Sequence, residues 1–218
     1  MRYYPINLDI QNRNCLVVGG GGVGSRKVMT LLKCGAKVTV VSPVISNSLQ
    51  DLEKSASLTL KARPYRTADL EGMFLVIGAT DNEPLNRQIS SDAESRNTLC
   101  NIADRPAVCN FILPSIVQRD DLVITISTSG KSPALAKKLR KTLECQFGPE
   151  YGDFLKLMGA IRSKLLSQAH EPEAHKPLFE QLIDCNLIAL IQEGKAAEIN
   201  ALLAKILGDG YRFEELML

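Results

Sequence analysis

The chain has 218 residues, with 26 Lys and Arg against 24 Asp and Glu, for a net charge of +2. Apolar residues make up 45% and charged ones 23%, an ordinary globular composition that excludes a disordered or fibrous chain. The near-neutral balance makes no electrostatic case for nucleic acid, and no apolar run approaches a membrane span, so neither is an expected partner. Met1-Arg2-Tyr3-Tyr4-Pro5 does not lead into a signal-peptide core, and a cytoplasmic location is expected.

The six cysteines (15, 34, 100, 109, 145, 185) form no C-x-x-C pair, which argues against a zinc site or a disulfide scaffold. Cys15 and Cys100 sit in strand-like runs and read as buried thiols.

In chain order, CLVVG (15–19) reads as a strand and residues 22–34 as a helix. Between them Gly19, Gly21 and Gly24 keep the G-x-G-x-x-G spacing of a dinucleotide turn. The first glycine turns the chain, the second admits a phosphate to the backbone, and the third lets the helix pack against its strand. The anion would lie on the helix's free N–H groups, making Gly19, Gly21, Gly22, Val23 and Gly24 candidate cofactor contacts. A tight structural turn is the alternative.

KVTVV (37–41) is the next strand, followed by a helix near 46–55, a strand at 58–61 and a buried strand FLVIGAT (74–80). Asp81 is placed as N-cap of a helix from about Glu83 to Ser95, and TLCNIA (98–103) is a fifth strand. This alternation predicts a parallel α/β sheet. After Asp104 the rhythm changes. FILPSIV (111–117) and LVITIST (122–128), joined by residues 118–121, leave no room for a crossover helix and should pair antiparallel. Ser132 as N-cap and Pro133 open a helix with a Leu135, Leu139, Leu143 stripe that ends near Phe147-Gly148-Pro149. Residues 150–218 read almost entirely as short helices separated by Pro172, Pro177, Gly194 and Gly208. The expected fold is α/β: a Rossmann-like domain (1–110), a small β-α unit (111–149) and a helical C-terminal region (150–218).

YPINLDI, VVGGGGVGSRKV, GATDNEPLNRQI, CNIADRPAVCNFILPSIV and ITISTSGKSPALAKKLRKTLE resemble, in register and order, the dehydrogenase module of siroheme synthases. These are the precorrin-2 dehydrogenases, some of which are also sirohydrochlorin ferrochelatases. The resemblance covers about residues 1–150, and the lack of a methyltransferase domain suggests the stand-alone form. It implies NAD-dependent oxidation of precorrin-2 to sirohydrochlorin in siroheme (porphyrin-type) biosynthesis, and leaves iron insertion, an activity of some members, open. It also implies a homodimer built on the middle β-α unit, which then completes the substrate cleft. A two-stranded unit that cannot bury both faces alone agrees with that.

Asp104 follows TLCNIA and so lies where α/β sheets place ligand sites. It also matches the family's essential aspartate, which implies a proton acceptor during hydride removal. An ordinary turn before Arg105-Pro106 is the other reading of the same residue. For the cofactor, the acid usually found at the end of the second strand is missing, because that strand ends Val41-Ser42-Pro43. Ser42, Pro43 and Val44 would have to contact the ribose; NAD follows from the resemblance, and NADP stays open. Thr80 and Asp81 are placed on the other side of the cofactor cleft.

Ser129, Gly130 and Lys131, just before a helix start, together with Asn101, are the expected contacts for a polycarboxylate substrate. Lys137, Lys138, Arg140 and Lys141 either extend that field or form a solvated face. His170 and His175 are five apart with Pro172 between them, and are expected to be exposed loop residues rather than metal ligands. An NAD(H)-sensing module without redox chemistry would share the glycine turn, and is the rival function.

Overall fold

Alternate side chains of β1 (Asn14–Gly20) enter two different apolar layers, which is why CLVV is apolar without a break. Cys15 and Val17 face one layer with Val28 and Leu31 of α1 (Gly22–Lys33), Val38 and Val40 of β2 (Lys37–Ile45), and Leu49 of α2 (Asn47–Leu52). Leu16 and Val18 face the other, with Val76 of β4 (Leu75–Gly78), Ile89 and Ala93 of α3 (Glu83–Ser95), and Ile102 of β5 (Leu99–Ile102). With β3 (Leu58–Lys61) the five strands pair in parallel in the order β3-β2-β1-β4-β5. Helices on both faces and a strand order that reverses beside β1 make this the Rossmann-like sheet expected, with its ligand crevice at the carboxyl ends of β1 and β4.

The computed structural model describes residues 2–52, 57–103, 105–167 and 175–218. They fall into two units, Met1–Leu113 and Pro114–Leu218.

Three local expectations in the first unit change. β2 does not stop at Val41-Ser42-Pro43 but resumes its pairing at Ile45, opposite Gly20. The helix after β4 is capped by Asn82, not Asp81. Asn82 Oδ1 accepts the Leu85 amide at 3.0 Å, while the helix itself runs Glu83–Ser95 as expected. The helix expected near 46–55 is described only as Asn47–Leu52; residues 53–55 lie outside the described residues.

In the second unit β6 (Ser115–Arg119) and β7 (Leu122–Ile126) pair antiparallel, as their short connection requires. The hairpin is tighter than the sequence suggested. Arg119 pairs with Leu122, leaving a two-residue turn in which Asp120 takes a left-handed φ of 49°. Phe111–Pro114 precede the strand instead of opening it. Val117 faces inward, while Ile116 and Val123 remain exposed on the opposite face.

α4 (Pro133–Gln146) begins as expected, with Ser132 Oγ accepting the Leu135 amide at 3.2 Å and Pro133 in the first turn. Arg119 of the hairpin donates to the Glu144 and Phe147 carbonyls, both at 2.8 Å, closing the helix's C-terminal end. The expected leucine stripe is not the buried one. Ala136 is buried, whereas Leu135 and Leu139 are exposed.

The region after residue 150 is not made only of short helices. α5 (Glu150–Ser167) runs 18 residues, because Phe154, Leu157, Ile161 and Leu165 recur on one face. That face meets Leu182 of α6 (Lys176–Asp184), Leu187 and Leu190 of α7 (Leu187–Gln192), and Ile199 and Leu203 of α8 (Ala196–Leu207). α9 (Phe213–Leu216) closes the chain's helical series. Pro177 sits in the first turn of α6 rather than between helices, where its missing N–H costs nothing.

Candidate functional site

The three motif glycines have different surroundings. Gly19 has φ 118°, and a Cβ there would run into the Ala79 carbonyl of the neighbouring chain segment. A Cβ on Gly24 would collide with the Gly19 carbonyl, so only glycine allows α1 to start this close under β1. Around Gly21 and Gly22, by contrast, no atom lies within 4 Å of an added Cβ. Gly21 is the N-cap of α1, no side chain caps that end, and no acid lies in its first turn. The result is an open, uncapped helix start with its positive dipole end facing free space, which suits a pyrophosphate. Val23, half-buried, belongs to the same first turn.

Beside it, β1 and β2 pair regularly up to Val18 with Val41, then shift until Gly20 meets Ile45. Gly19 alone is therefore matched by three residues, Ser42, Pro43 and Val44. Those three bulge at the rim of the glycine turn, the place expected for ribose contacts. Ser42 is buried, and Val44 is 77% exposed. The Ser46 amide donates to the Gly20 carbonyl at 3.0 Å, and Ser25 Oγ of α1 lies 3.0 Å from Ser46 Oγ, tying the far side of the bulge to α1.

Thr80 reaches the opposite rim. The Ala79 amide donates to the Val18 carbonyl at 2.7 Å, which draws the end of β4 to Gly19. Thr80 Oγ1 donates to Asn86 Oδ1, and Asn86 Nδ2 donates back to the Thr80 carbonyl, both at 2.9 Å. Buried Asn86 was not picked out from the sequence, although an Asn one turn inside a helix on its apolar side is a signal. Asp81 is exposed next to Thr80. The 42–44 bulge thus lies beside Gly20 and the Ala79–Thr80 segment beside Gly19.

At the end of β5, Asn101 is buried and its Nδ2 donates to the Phe111 carbonyl at 3.0 Å. Asp104 lies outside the described residues. On either side of it in sequence, the Ala103 amide donates to the Gly78 carbonyl at 2.8 Å, and the Arg105 amide to the Ile102 carbonyl at 3.2 Å. Arg105 and Arg87 both bind Glu83, at 3.1 and 2.7 Å, and hold its carboxyl below the usual range. Burial pushes the Cys100 thiol up to about 12 and the Cys15 thiol up to about 11, so both remain protonated. Both are buried, as their strand positions implied.

Ser129, Gly130 and Lys131 belong to the second unit. Ser129 and Gly130 are successive left-handed residues (φ 52° and 79°) between β7 and α4. The turn is closed by the Lys131 amide to the Thr128 carbonyl at 2.9 Å and the Ser132 amide to Thr128 Oγ1 at 3.2 Å. All three residues are exposed. On α4, Arg140 is bound to Glu144, while Lys137, Lys138 and Lys141 are exposed. His175 is buried, not exposed, at the start of α6; His170 lies outside the described residues. Among the described residues no three His, Cys, Asp or Glu side chains gather as a metal site, and no helix is long and apolar enough to cross a membrane.

A doubly wound parallel sheet with an open glycine turn under an uncapped helix defines a dinucleotide-binding protein of the Rossmann class. Residues 6–115 match the NAD_binding_7 family model, described as NAD(P)-binding, and residues 119–146 match the model for the central part of sirohaem biosynthesis proteins. The chain is 35% identical over 201 residues to a siroheme synthase of Photobacterium profundum, covering 91% of this chain and 43% of the relative. With a siroheme synthase of Nitrosococcus oceani the identity is 34%, covering 97% and 45%. The chain thus spans less than half the length of these curated relatives. A solved structure titled SirC, precorrin-2 dehydrogenase superposes with a TM-score of 0.79 at 25% identity, covering 94% of this chain and 98% of that one. The chain belongs to the NAD_binding_7 family of NAD(P)-binding proteins.

Proposed function

We propose that the chain oxidises precorrin-2 to sirohydrochlorin with NAD as acceptor, in siroheme biosynthesis. The observation that carries this reading is the open glycine turn, in a chain matched nearly end to end by a precorrin-2 dehydrogenase. NAD bound there supplies the hydride acceptor. Gly21, Gly22, Val23 and Gly24 hold the pyrophosphate at the α1 start, and Ser42, Pro43 and Val44 hold the ribose. No acid and no arginine stands in that bulge, so main chain and hydroxyl make the contact. Thr80 and Asp81 face the cofactor from the β4 side.

Oxidation removes a hydride and a proton from the macrocycle. Asp104, which follows β5 in sequence, takes the proton. Asn101 and the Ser129-Gly130-Lys131 turn contact the substrate, whose carboxylate arms are complementary to the lysine. The working form is a cytoplasmic homodimer formed through residues 111–149. In support, Ile116 and Val123 are exposed on one hairpin face and Leu135 and Leu139 on α4, and all six cysteines are free thiols.

The test is anaerobic incubation of the protein with precorrin-2 and NAD, following NADH and sirohydrochlorin absorbance. NADH should form in the wild type, and Asp104→Asn should bind NAD normally while losing most turnover. Absence of NADH despite NAD binding would overturn the dehydrogenase reading in favour of an NAD(H) sensor. Wild-type turnover in Asp104→Asn would remove that residue's role. Ferrous ion added afterwards tests iron insertion, read as a spectral change above the metal-only control.

A further inference from the structure

α3 follows β4 and the segment 105–108 follows β5, so both come after the carboxyl ends of parallel strands, the side on which such sheets bind ligands. Between them lies a cavity of about 270 Å³, lined by Glu83, Asn86, Arg87, Arg105, Ala107 and Val108. Its walls are tied together where Ser90 Oγ of α3 donates to the Val108 carbonyl at 2.8 Å. Among the described lining residues two arginines stand against one glutamate, an excess of positive charge. Glu83 Oε1 accepts one bond from Arg87 and Oε2 one from Arg105, and each bond uses a single nitrogen, Nη2. A guanidinium carries five N–H donors, so both arginines keep most of theirs for a ligand. The fold gains little from these pairs, because the Arg105 and Arg87 side chains are 52% and 74% exposed.

We propose that this cavity takes one carboxylate arm of the tetrapyrrole substrate, with Arg105 as its main ligand, Arg87 beside it, and Glu83 holding both arginines until the arm displaces it; this rests on the substrate reading proposed above. Glu83 spends one oxygen on each arginine, whereas an incoming carboxylate can meet a guanidinium fork with two parallel bonds and so makes the better pair. Ala107 and Val108 offer the methylenes of such an arm an apolar wall. A whole tetrapyrrole needs the upper part of the ~300–1,000 Å³ range of ligand pockets, so the cavity has room for an arm and not for the ring. Asn86 lines the same cavity and holds Thr80, the residue assigned above to the cofactor. An arm anchored here therefore sets the ring on the side of the sheet where the cofactor is contacted.

The experiment is steady-state kinetics read as NADH formation, with precorrin-2 and NAD varied in turn. Arg105→Ala should raise KM for precorrin-2 about tenfold, with KM for NAD unchanged. Glu83→Gln removes the internal competitor and should lower KM for precorrin-2, by up to about fivefold. An ion pair that served only the fold would lower Tm in both variants and move neither KM. Arg105→Gln keeps much of the stem, loses the charge, and carries the same test where the alanine variant does not fold. Wild-type KM for precorrin-2 in the Arg105 variants overturns the inference, and so does a raised KM in Glu83→Gln. A wild type that forms no NADH removes the dehydrogenase reading and this inference with it, so the two failures are told apart.

Discussion

The glycine turn makes a prediction in which two neighbouring alanines behave oppositely. At Gly24 an added Cβ meets the Gly19 carbonyl, and neither backbone can move without shifting β1 or α1. Overpacking of this kind costs about 1–3 kcal/mol. A chain of this size loses about 2–4 °C of Tm per kcal/mol, so Gly24→Ala should melt ~2–12 °C lower. At Gly21 the added methyl meets nothing within 4 Å, and the backbone is already extended at φ −84°, ψ −172°. The fold loses only the preference for glycine over alanine at an N-cap, under about 1 kcal/mol. The methyl does enter the space where a phosphate would approach the α1 start. Losing one hydrogen bond to a charged group costs about 1.5–3 kcal/mol, which at tenfold per ~1.4 kcal/mol is about 10- to 150-fold weaker NADH binding. NADH fluorescence titration and thermal melts of both variants are the assay. Wild-type NADH affinity in Gly21→Ala, with its fold intact, would refute the placement of the pyrophosphate. An unchanged Tm in Gly24→Ala would refute the close helix–strand contact.

Asp69, a buried carboxylate, accepts two hydrogen bonds from Arg63 (2.5 and 2.8 Å), and that guanidinium holds its carboxyl below the usual range. A carboxyl lowered on folding adds stability above its unfolded pKa, and that stability is lost as pH falls through the folded value. Wild-type Tm should therefore drop below about pH 4, while Asp69→Asn loses ~1–3 kcal/mol at neutral pH and lacks that part of the acid dependence. In thiol titration at pH 8 the exposed Cys34 and Cys145 should react at once, and Cys15, Cys100 and Cys109 only on denaturation. Fast modification of Cys109 would contradict its burial. Leu157→Ala should cost about 2–5 kcal/mol in chemical denaturation, since Leu157 is fully buried in the helical core.

Much of the first unit is legible because its signals are local and redundant. CLVV, VTVV and LVIG are apolar on both faces, as only a sheet covered twice requires, and the glycine spacing names its own backbone needs. Errors arise where two neighbours compete for one job. Asp81 and Asn82 can both cap a helix, and the geometry of a single residue decides between them. Pro43 suggests a strand end, yet β2 bulges past it and resumes, because pairing of Ile45 with Gly20 depends on a partner far away in sequence. In α4 the leucine spacing marks an apolar stripe but cannot say that the hairpin takes the Ala136 side instead. The candidate site is readable at its glycine turn. Asn86 is a polar residue whose value lies in a contact 6 positions away, and no periodicity marks that.

The 42–44 bulge is fastened on both sides: Val41 is paired before it, and Ile45 and Ser46 lock onto Gly20 after it. A rim segment anchored this way has its shape settled when the chain folds. Little disorder is left for a nucleotide to quench on arrival, so affinity rests on contact quality rather than on closure of a mobile flap. If the proposed ribose contacts are made here, exchange of oxidised for reduced cofactor needs no opening of this segment.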